Sequence, residues 1–296
     1  MTSRWRAGAP RDLIVAPLVF GLEEPPVAEQ IELSIAPPLE LARRLDDGAL
    51  DLALLPAPEI TRRAARVEVV PGLAVTSEGP AGALLHLRVP LGQVTRIVST
   101  VPGHAAELLA ATLFAAGGRP VAIDPWPGSL ESALVAHGAV LVAGDDAMRW
   151  EGPGGRRDPQ VLDLGEAWTE LTGLPMVWWA WAARPETIDR RTYALLHAAR
   201  TRARRHPDAV VAGAVARGIA LERARDALNG AIFRLGRRQL EGWRALGQAA
   251  GDRGLLPKPA RLRFLRLRAG GGCPAAASAR ENNSDSLRCA PRSPLP

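Results

Sequence analysis

The chain has 296 residues, 47% of them hydrophobic, enough for one large core or two lobes. Its net charge of +6 is a property of the end: from Pro257 onward there are eight basic and two acidic residues, which leaves 29 of each sign in residues 1–256. A neutral body argues against nucleic-acid binding, two cysteines confined to the tail (Cys273, Cys289) exclude a body disulfide, a cysteine nucleophile or a thiolate metal site, and Lys258 as sole lysine leaves no Schiff-base or phosphate-loop candidate.

In chain order, the first apolar run is Leu13 to Leu22, preceded by three arginines. It resembles the apolar part of a signal peptide, but Asp12 abuts it, Pro17 and Gly21 interrupt it, and no small-residue cleavage site follows. It reads as a buried first strand entering a loop. With neither an export segment nor a membrane span, the protein is expected in the cytoplasm and away from membranes. Leu39 to Leu45 has helical spacing and is closed by Asp47-Gly48, and Leu50 to Leu55 is a strand ended by Pro56 and Pro58. Gly72 to Thr76 and Ala83 to Leu87 are short strands around the turn Ser77 to Pro80.

Ile97 to Thr100 is a strand, followed by a turn at Pro102-Gly103-His104 and a helix ending at Gly117-Gly118. Then come a strand at Val121 to Ile123, a helix at Leu130 to Val135 and a strand at Ala139 to Ala143. In VLDLGEAWTELTGLPMVWWAWAARP, residues 161–185, Leu164, Trp168 and Leu171 form one helical stripe with Asp163 as N-cap, and Gly173 and Pro175 stop it. Met176 to Ala183 is apolar at odd and even positions alike, which predicts a strand covered on both faces, its Trp side chains packing in the core. It is too short for a membrane span, which needs roughly 18 apolar residues. Beyond Pro185 the chain turns helical, with Thr192 to His206, Leu221 to Asn229 and Arg237 to Ala250. Residues 257–266 keep apolar anchors able to dock, and from Leu267 the composition is that of a disordered basic tail.

Strands alternating with helices predict an α/β fold with a largely parallel sheet. The five histidines lack metal-ligand spacing, so no metal is expected. His104 sits where a strand turns into a helix, a junction whose backbone N–H groups favour an anion; a solvent-facing loop histidine is the other reading. Asp145 and Asp146 follow a buried strand, where α/β sheets place ligand contacts, and read equally as helix N-caps.

LDLGEAWTELTGLP running into an apolar strand that ends WAARP resembles the signature of the futalosine-pathway chorismate dehydratase family of menaquinone biosynthesis. PLVFGLE (17–23), LARRLDDGALDLALLPAPE (41–59), VVPGLAVTSEGP (69–80), VLVAGDDAM (140–148) and the closing LLPKPARLRFL agree with it. The resemblance covers about residues 12–266. It implies a two-lobed fold like periplasmic binding proteins of type II, with hinge crossovers and a ligand cleft. Lobe 1 would take residues 1–88 and 184–266, lobe 2 would take 89–183, and 267–296 would form the disordered tail.

The implied reaction converts chorismate to 3-[(1-carboxyvinyl)oxy]benzoate and water, with no cofactor, on a small-molecule carboxylate partner. Thr100, Gly103 and His104 would help hold a carboxylate, and Asp145 with the turn Ser77, Glu78 and Gly79 would line the cleft; the catalytic base is unassigned. Three positions depart from the family: Ile14 stands for Asn, Ala83 for Ser, and Val101-Pro102-Gly103-His104-Ala105 replaces a Ser-Arg-Thr-Ser type loop. Those apolar substitutions keep a second reading open, a catalytically lapsed small-carboxylate-binding protein. The Pro-Gly turn also resembles the sister 1,4-dihydroxy-6-naphthoate synthases, although no histidine stands beside Gly144.

Overall fold

The structure, a computed structural model, describes residues 4–150, 160–257 and 261–266. The predicted tail from residue 267 lies outside the described residues. Two sheets divide the molecule into two lobes. The first sheet has the order β11-β4-β10-β3-β1-β2, formed by β1 (Trp5–Ala9), β2 (Ile31–Ile35), β3 (Leu52–Pro56), β4 (Glu68–Ser77), β10 (Met176–Ala183) and β11 (Ala231–Ile232). The second, β7-β6-β8-β5-β9, uses β5 (Leu84–Leu87), β6 (Arg96–Ser99), β7 (Ala122–Pro125), β8 (Ala139–Val142) and β9 (Val161–Asp163).

The chain crosses between lobes one strand earlier than the expected boundaries at 88/89 and 183/184. β5 pairs with β8 and β9 in the second sheet, and β10 pairs antiparallel with β3 and β4 in the first. Every residue of β10 is buried, including Trp178, Trp179 and Trp181. A strand in the middle of a sheet covered on both faces has no polar side to alternate, which is why its sequence is unbroken apolar.

Both sheets are mixed rather than largely parallel, because β10 and β5 each run antiparallel to both of their neighbours, and the start of the chain and the end of β3 also differ from the sequence reading. Residues 13–22 are helical: a 3-10 turn at Leu13–Val15, α1 (Ala16–Val19) and a second 3-10 turn at Phe20–Leu22. Asp12 caps the first turn by accepting from the Ile14 N–H at 3.3 Å. The strand expected there is supplied instead by β1, whose small residues Ala7, Gly8 and Ala9 let α2 (Pro38–Asp46) close over it; a Cβ at Gly8 would lie 2.6 Å from Leu41 Cδ2. Pro56 and Pro58 do more than end β3, because Pro58 sits in the first turn of α3 (Ala57–Arg62), where a proline loses no hydrogen bond.

Lobe 2 contains α4 (Ala105–Ala116), α5 (Leu130–Ala136), α6 (Gly144–Arg149) and α7 (Leu164–Thr172). In α7 the stripe is shorter than its spacing suggests: Leu164 and Trp168 are buried, but Leu171 is 63% exposed. Gly173 ends the helix at φ 66°, the left-handed conformation expected of it. The remaining helices are α8 (Arg190–Arg205), α9 (Pro207–Val215), α10 (Leu221–Gly230) and α11 (Arg237–Gly251). Residues 263–265 dock beside β4, with Val69 N–H donating to Arg263 O at 2.7 Å and Leu265 N–H to Val69 O at 3.0 Å. No helix among the described residues is long and apolar enough to cross a membrane.

Both crossovers are clamped. Asp163, the N-cap of α7, accepts from the Gly165 and Glu166 N–H groups at 2.9 and 3.2 Å. The same carboxylate accepts from Ala81 N–H at 3.1 Å and Gly82 N–H at 2.8 Å, so it ties the outward crossover, residues 78–83, to the helix base. Gly165 permits that approach, since a Cβ there would lie 2.7 Å from Gly79 O. The return crossover passes under α11, where a Cβ at Gly242 would lie 2.0 Å from Pro175 O.

Candidate active site between the lobes

The cleft lies where the two sheets face each other. Its inner pocket is lined by Ile14, the 75–77 end of β4, the crossover residues Pro80 to Ala83, His104, Ala143, Gly144, Met148, Trp178, Trp179 and the α10–β11 junction. This inner space is about 30 Å³, close to the volume of one water. It continues past His104, Ala143 and Trp179 into an outer cleft of about 490 Å³, bounded by Pro10, Arg11, Asp12, residues 35–38 and residues 100–102. The inner space and the outer cleft share His104, Ala143 and Trp179, so the two adjoin across the lobe junction.

His104 stands at the junction of the two spaces. As N-cap of α4 its Nδ1 accepts from the Ala106 N–H at 3.1 Å, so the neutral ring carries its proton on Nε2. Its ring stacks near Trp178 at 5.9 Å and meets Trp179 edge-on at 5.4 Å. Burial lowers its pKa to about 4. His104 is accordingly an uncharged N–H donor at neutral pH, poised at a helix N-terminus where negative charge is favoured.

The rest of the anion-loop expectation is altered by internal bonds. Gly103 N–H is taken by the Glu107 carboxylate at 2.8 Å, and the Thr100 hydroxyl donates to Leu141 O at 3.2 Å. Of the seven residues expected at the site, Ser77, Thr100 and His104 line the cleft, while Glu78, Gly79, Gly103 and Asp145 are absent from its lining. Ser77 is buried at its base and accepts from the Trp178 indole N–H at 2.9 Å. Glu78 pairs outward with Arg238 at 3.4 Å, and Gly79 N–H bonds Thr169 Oγ1 at 2.9 Å. Ile14 and Ala83 are lining residues, so the two departures from polar side chains do face the ligand space.

Asp145 is neither a helix N-cap nor part of the cleft wall. The N-cap of α6 is Ala143, and the Asp145 carboxylate reaches across to lobe 1, accepting from Leu13 N–H at 2.7 Å and from Arg217 Nε at 2.9 Å. Beside it lies Asp12, which in the sequence is only the polar flank of an apolar run. The Asp12 carboxyl covers Gly144, where a Cβ would lie 2.2 Å from Oδ2, and Gly144 holds φ 66°. Burial, then the Asp145 charge and the hydrogen bond that the Asp12 carboxyl donates to it, push Asp12 well above the usual carboxylate range. Burial raises Asp145 as well, but the bonds from Asp12, Leu13 N–H and Arg217 outweigh it and hold that carboxyl low. No group of three His, Cys, Asp or Glu side chains able to hold a metal occurs among the described residues.

The model of the menaquinone biosynthesis family matches residues 5–252. Among solved structures, the chain is similar to protein AF1704 from Archaeoglobus fulgidus, with 16% identity, 86% of this chain and 98% of that chain covered, and a TM-score of 0.68. It is also similar to the periplasmic aliphatic sulphonate binding protein SsuA from Escherichia coli, at 16% identity, 96% and 99% coverage and a TM-score of 0.61. The alkanesulfonate-binding SsuA from Xanthomonas axonopodis pv. citri, bound to MOPS, matches at 15% identity, 86% and 94% coverage and a TM-score of 0.57. The fold is therefore the two-lobed α/β fold of periplasmic binding proteins.

Proposed function

The chain belongs to the menaquinone biosynthesis family, and from that premise we propose that it is a cytoplasmic chorismate dehydratase, forming 3-[(1-carboxyvinyl)oxy]benzoate and water. The observation that carries this reading is the largely apolar interlobe cleft with the neutral His104 N–H donor at the N-terminus of α4. Loss of water from chorismate makes an aromatic ring, so the chemistry asks for orientation, anion binding and exclusion of bulk water. His104 Nε2–H supplies a donor to a substrate carboxylate, the exposed Arg11 supplies positive charge at the rim, and the flat walls of Trp178 and Trp179 suit a six-membered ring. Each charge-assisted hydrogen bond of this kind contributes about 1.5–3 kcal/mol.

Ile14 and Ala83 on the inner wall favour a second reading, a binding protein for a small carboxylate that has lost its chemistry. One assay separates the two. The purified chain is incubated with chorismate and the products are followed by chromatography with mass detection. A product lighter by one water, above the uncatalysed background, is expected for the dehydratase. A rise in melting temperature with chorismate and no product supports the binding protein, and neither effect refutes both.

A further inference from the structure

We propose that Asp12 is the acid of the cleft: a carboxyl set over Gly144 and against Asp145 at the lobe junction, which gives its proton to the departing hydroxyl of the substrate. The inference rests on the dehydratase reading for its reaction, and on the geometry of the lobe junction for its acid.

Three titratable side chains line the two connected spaces: Arg11, Asp12 and His104. Arg11 does not give up its proton in a protein. His104 is neutral, and a neutral imidazole N–H is a hydrogen-bond donor but a poor acid. Asp12 remains. Its carboxyl lies over the Cα of Gly144, a close approach that glycine alone allows, and its partner Asp145 is fixed from two sides by Leu13 N–H and Arg217 Nε. Those two bonds keep Asp145 ionised. Two carboxyl groups in hydrogen-bond contact cannot both carry charge cheaply, so the proton resides on Asp12.

The charged groups around the pair leave that assignment intact. Asp145 faces Asp12 from α6 and Arg217 faces it from the turn after α9, Arg11 adjoins it on its own loop, and His104 of α4 borders the same cleft uncharged. Asp146 is paired with Arg149, whose guanidinium donates to Arg217 O at 3.2 Å and so braces Arg217. Because Asp12 belongs to lobe 1 and Asp145 to lobe 2, the pair is made across the lobe junction.

The balance of the step is simple. The Asp12 proton goes to the hydroxyl, the C–O bond breaks with its electron pair, and water leaves. Arg11 and protonated Asp12 cannot accept the C–H proton on the neighbouring ring carbon and His104 Nδ1 is taken by Ala106 N–H, so that proton passes to the substrate's own enolpyruvyl carboxylate and the C–H electron pair becomes the new ring double bond. Once the product has left, its carboxylate returns the proton to solvent and Asp12 is protonated again. No oxidant or reductant takes part. Asp145 is a positioning residue, acting through Asp12.

The test uses the full chain and the variants Asp12→Asn and Asp145→Asn, each isosteric and able to keep one hydrogen bond of the pair. Asp12→Asn is expected to lower kcat by about 100-fold or more while the chorismate KM changes little. Since the protonated acid is the active form, kcat falls as pH rises through the Asp12 pKa; removing the Asp145 charge lowers that pKa, so in Asp145→Asn the alkaline fall moves to lower pH. Near-normal kcat in Asp12→Asn, or an unmoved alkaline limb in Asp145→Asn, overturns the proposal. A wild-type chain inert towards chorismate defeats the dehydratase reading instead. The acid is then read directly by infrared spectroscopy at neutral pH: a protonated-carboxyl band lost in Asp12→Asn sustains it, and absence of the band in the wild type overturns it.

Discussion

Replacing Asp163 with Ala removes a carboxylate that joins the outward crossover to α7. Four backbone N–H groups lose their acceptor: Gly165 and Glu166 in the first turn of the helix, Ala81 and Gly82 in the crossover. Loss of an N-cap costs about 1 kcal/mol. The two crossover donors are held in a buried setting, and each adds roughly 1 kcal/mol when left without a partner. The sum is about 3 kcal/mol, which for a domain of this size lowers the melting temperature by roughly 6–10 °C. Thermal denaturation followed by tryptophan fluorescence, with Asp163→Asn as the half-way variant that keeps one acceptor oxygen, measures it. A loss under about 1 kcal/mol refutes the reasoning, because it means that water replaces the carboxylate and the crossover is not anchored there.

Other outcomes follow from the same geometry. His104→Asn keeps a cap for Ala106 N–H but withdraws the Nε2–H donor from the cleft, so helix α4 stays intact by circular dichroism while kcat with chorismate falls about 100-fold. Gly242→Ala pushes a methyl into Pro175 O, and is expected to destabilise by about 3 kcal/mol in urea unfolding; a neutral result would show that α11 slides freely over the return crossover. Burial raises the Asp51 carboxyl, but the Arg6 side chain and N–H together with Arg184 hold it below the ordinary aspartate value. Its contribution is present above the unfolded pKa and lost as pH falls through the folded one. Asp51→Asn is therefore expected to melt at a lower temperature than wild type at neutral pH and to differ little from it in strong acid, as acid-dependent melting curves will show.

What the sequence disclosed was periodicity. The doubly apolar β10 and the capped α7 were legible because each is dictated by local spacing and by single residues such as Asp163 and Gly173. The helical nature of residues 13–22 was hidden, since Leu-Ile-Val suits a strand and only its packing decides otherwise: Gly21 lies so close to α8 that a Cβ would be 2.6 Å from Ala199 Cα. At the site, His104 was marked by its strand-to-helix junction, whereas Gly103 and Thr100 looked available because nothing local announces that Glu107 and Leu141 O take up their hydrogen bonds. Asp12 and Arg217 gave no signal at all. Their meaning depends on a contact between lobes, from residues 12, 145 and 217, and no pattern within a window spans that distance.

The position of β10 also sets a timetable for the newborn chain. Lobe 2 emerges from the ribosome as one uninterrupted stretch, β5 through α7, and can pair its strands as they appear. Lobe 1 cannot: β3 and β4 have no strand between them until Met176–Ala183 arrives, a whole sheet later, and until then each exposes an open apolar edge. Faults in β10 or in the helices after it will therefore show first as insoluble nascent protein, with a sound lobe 2 attached to a first lobe that never closed.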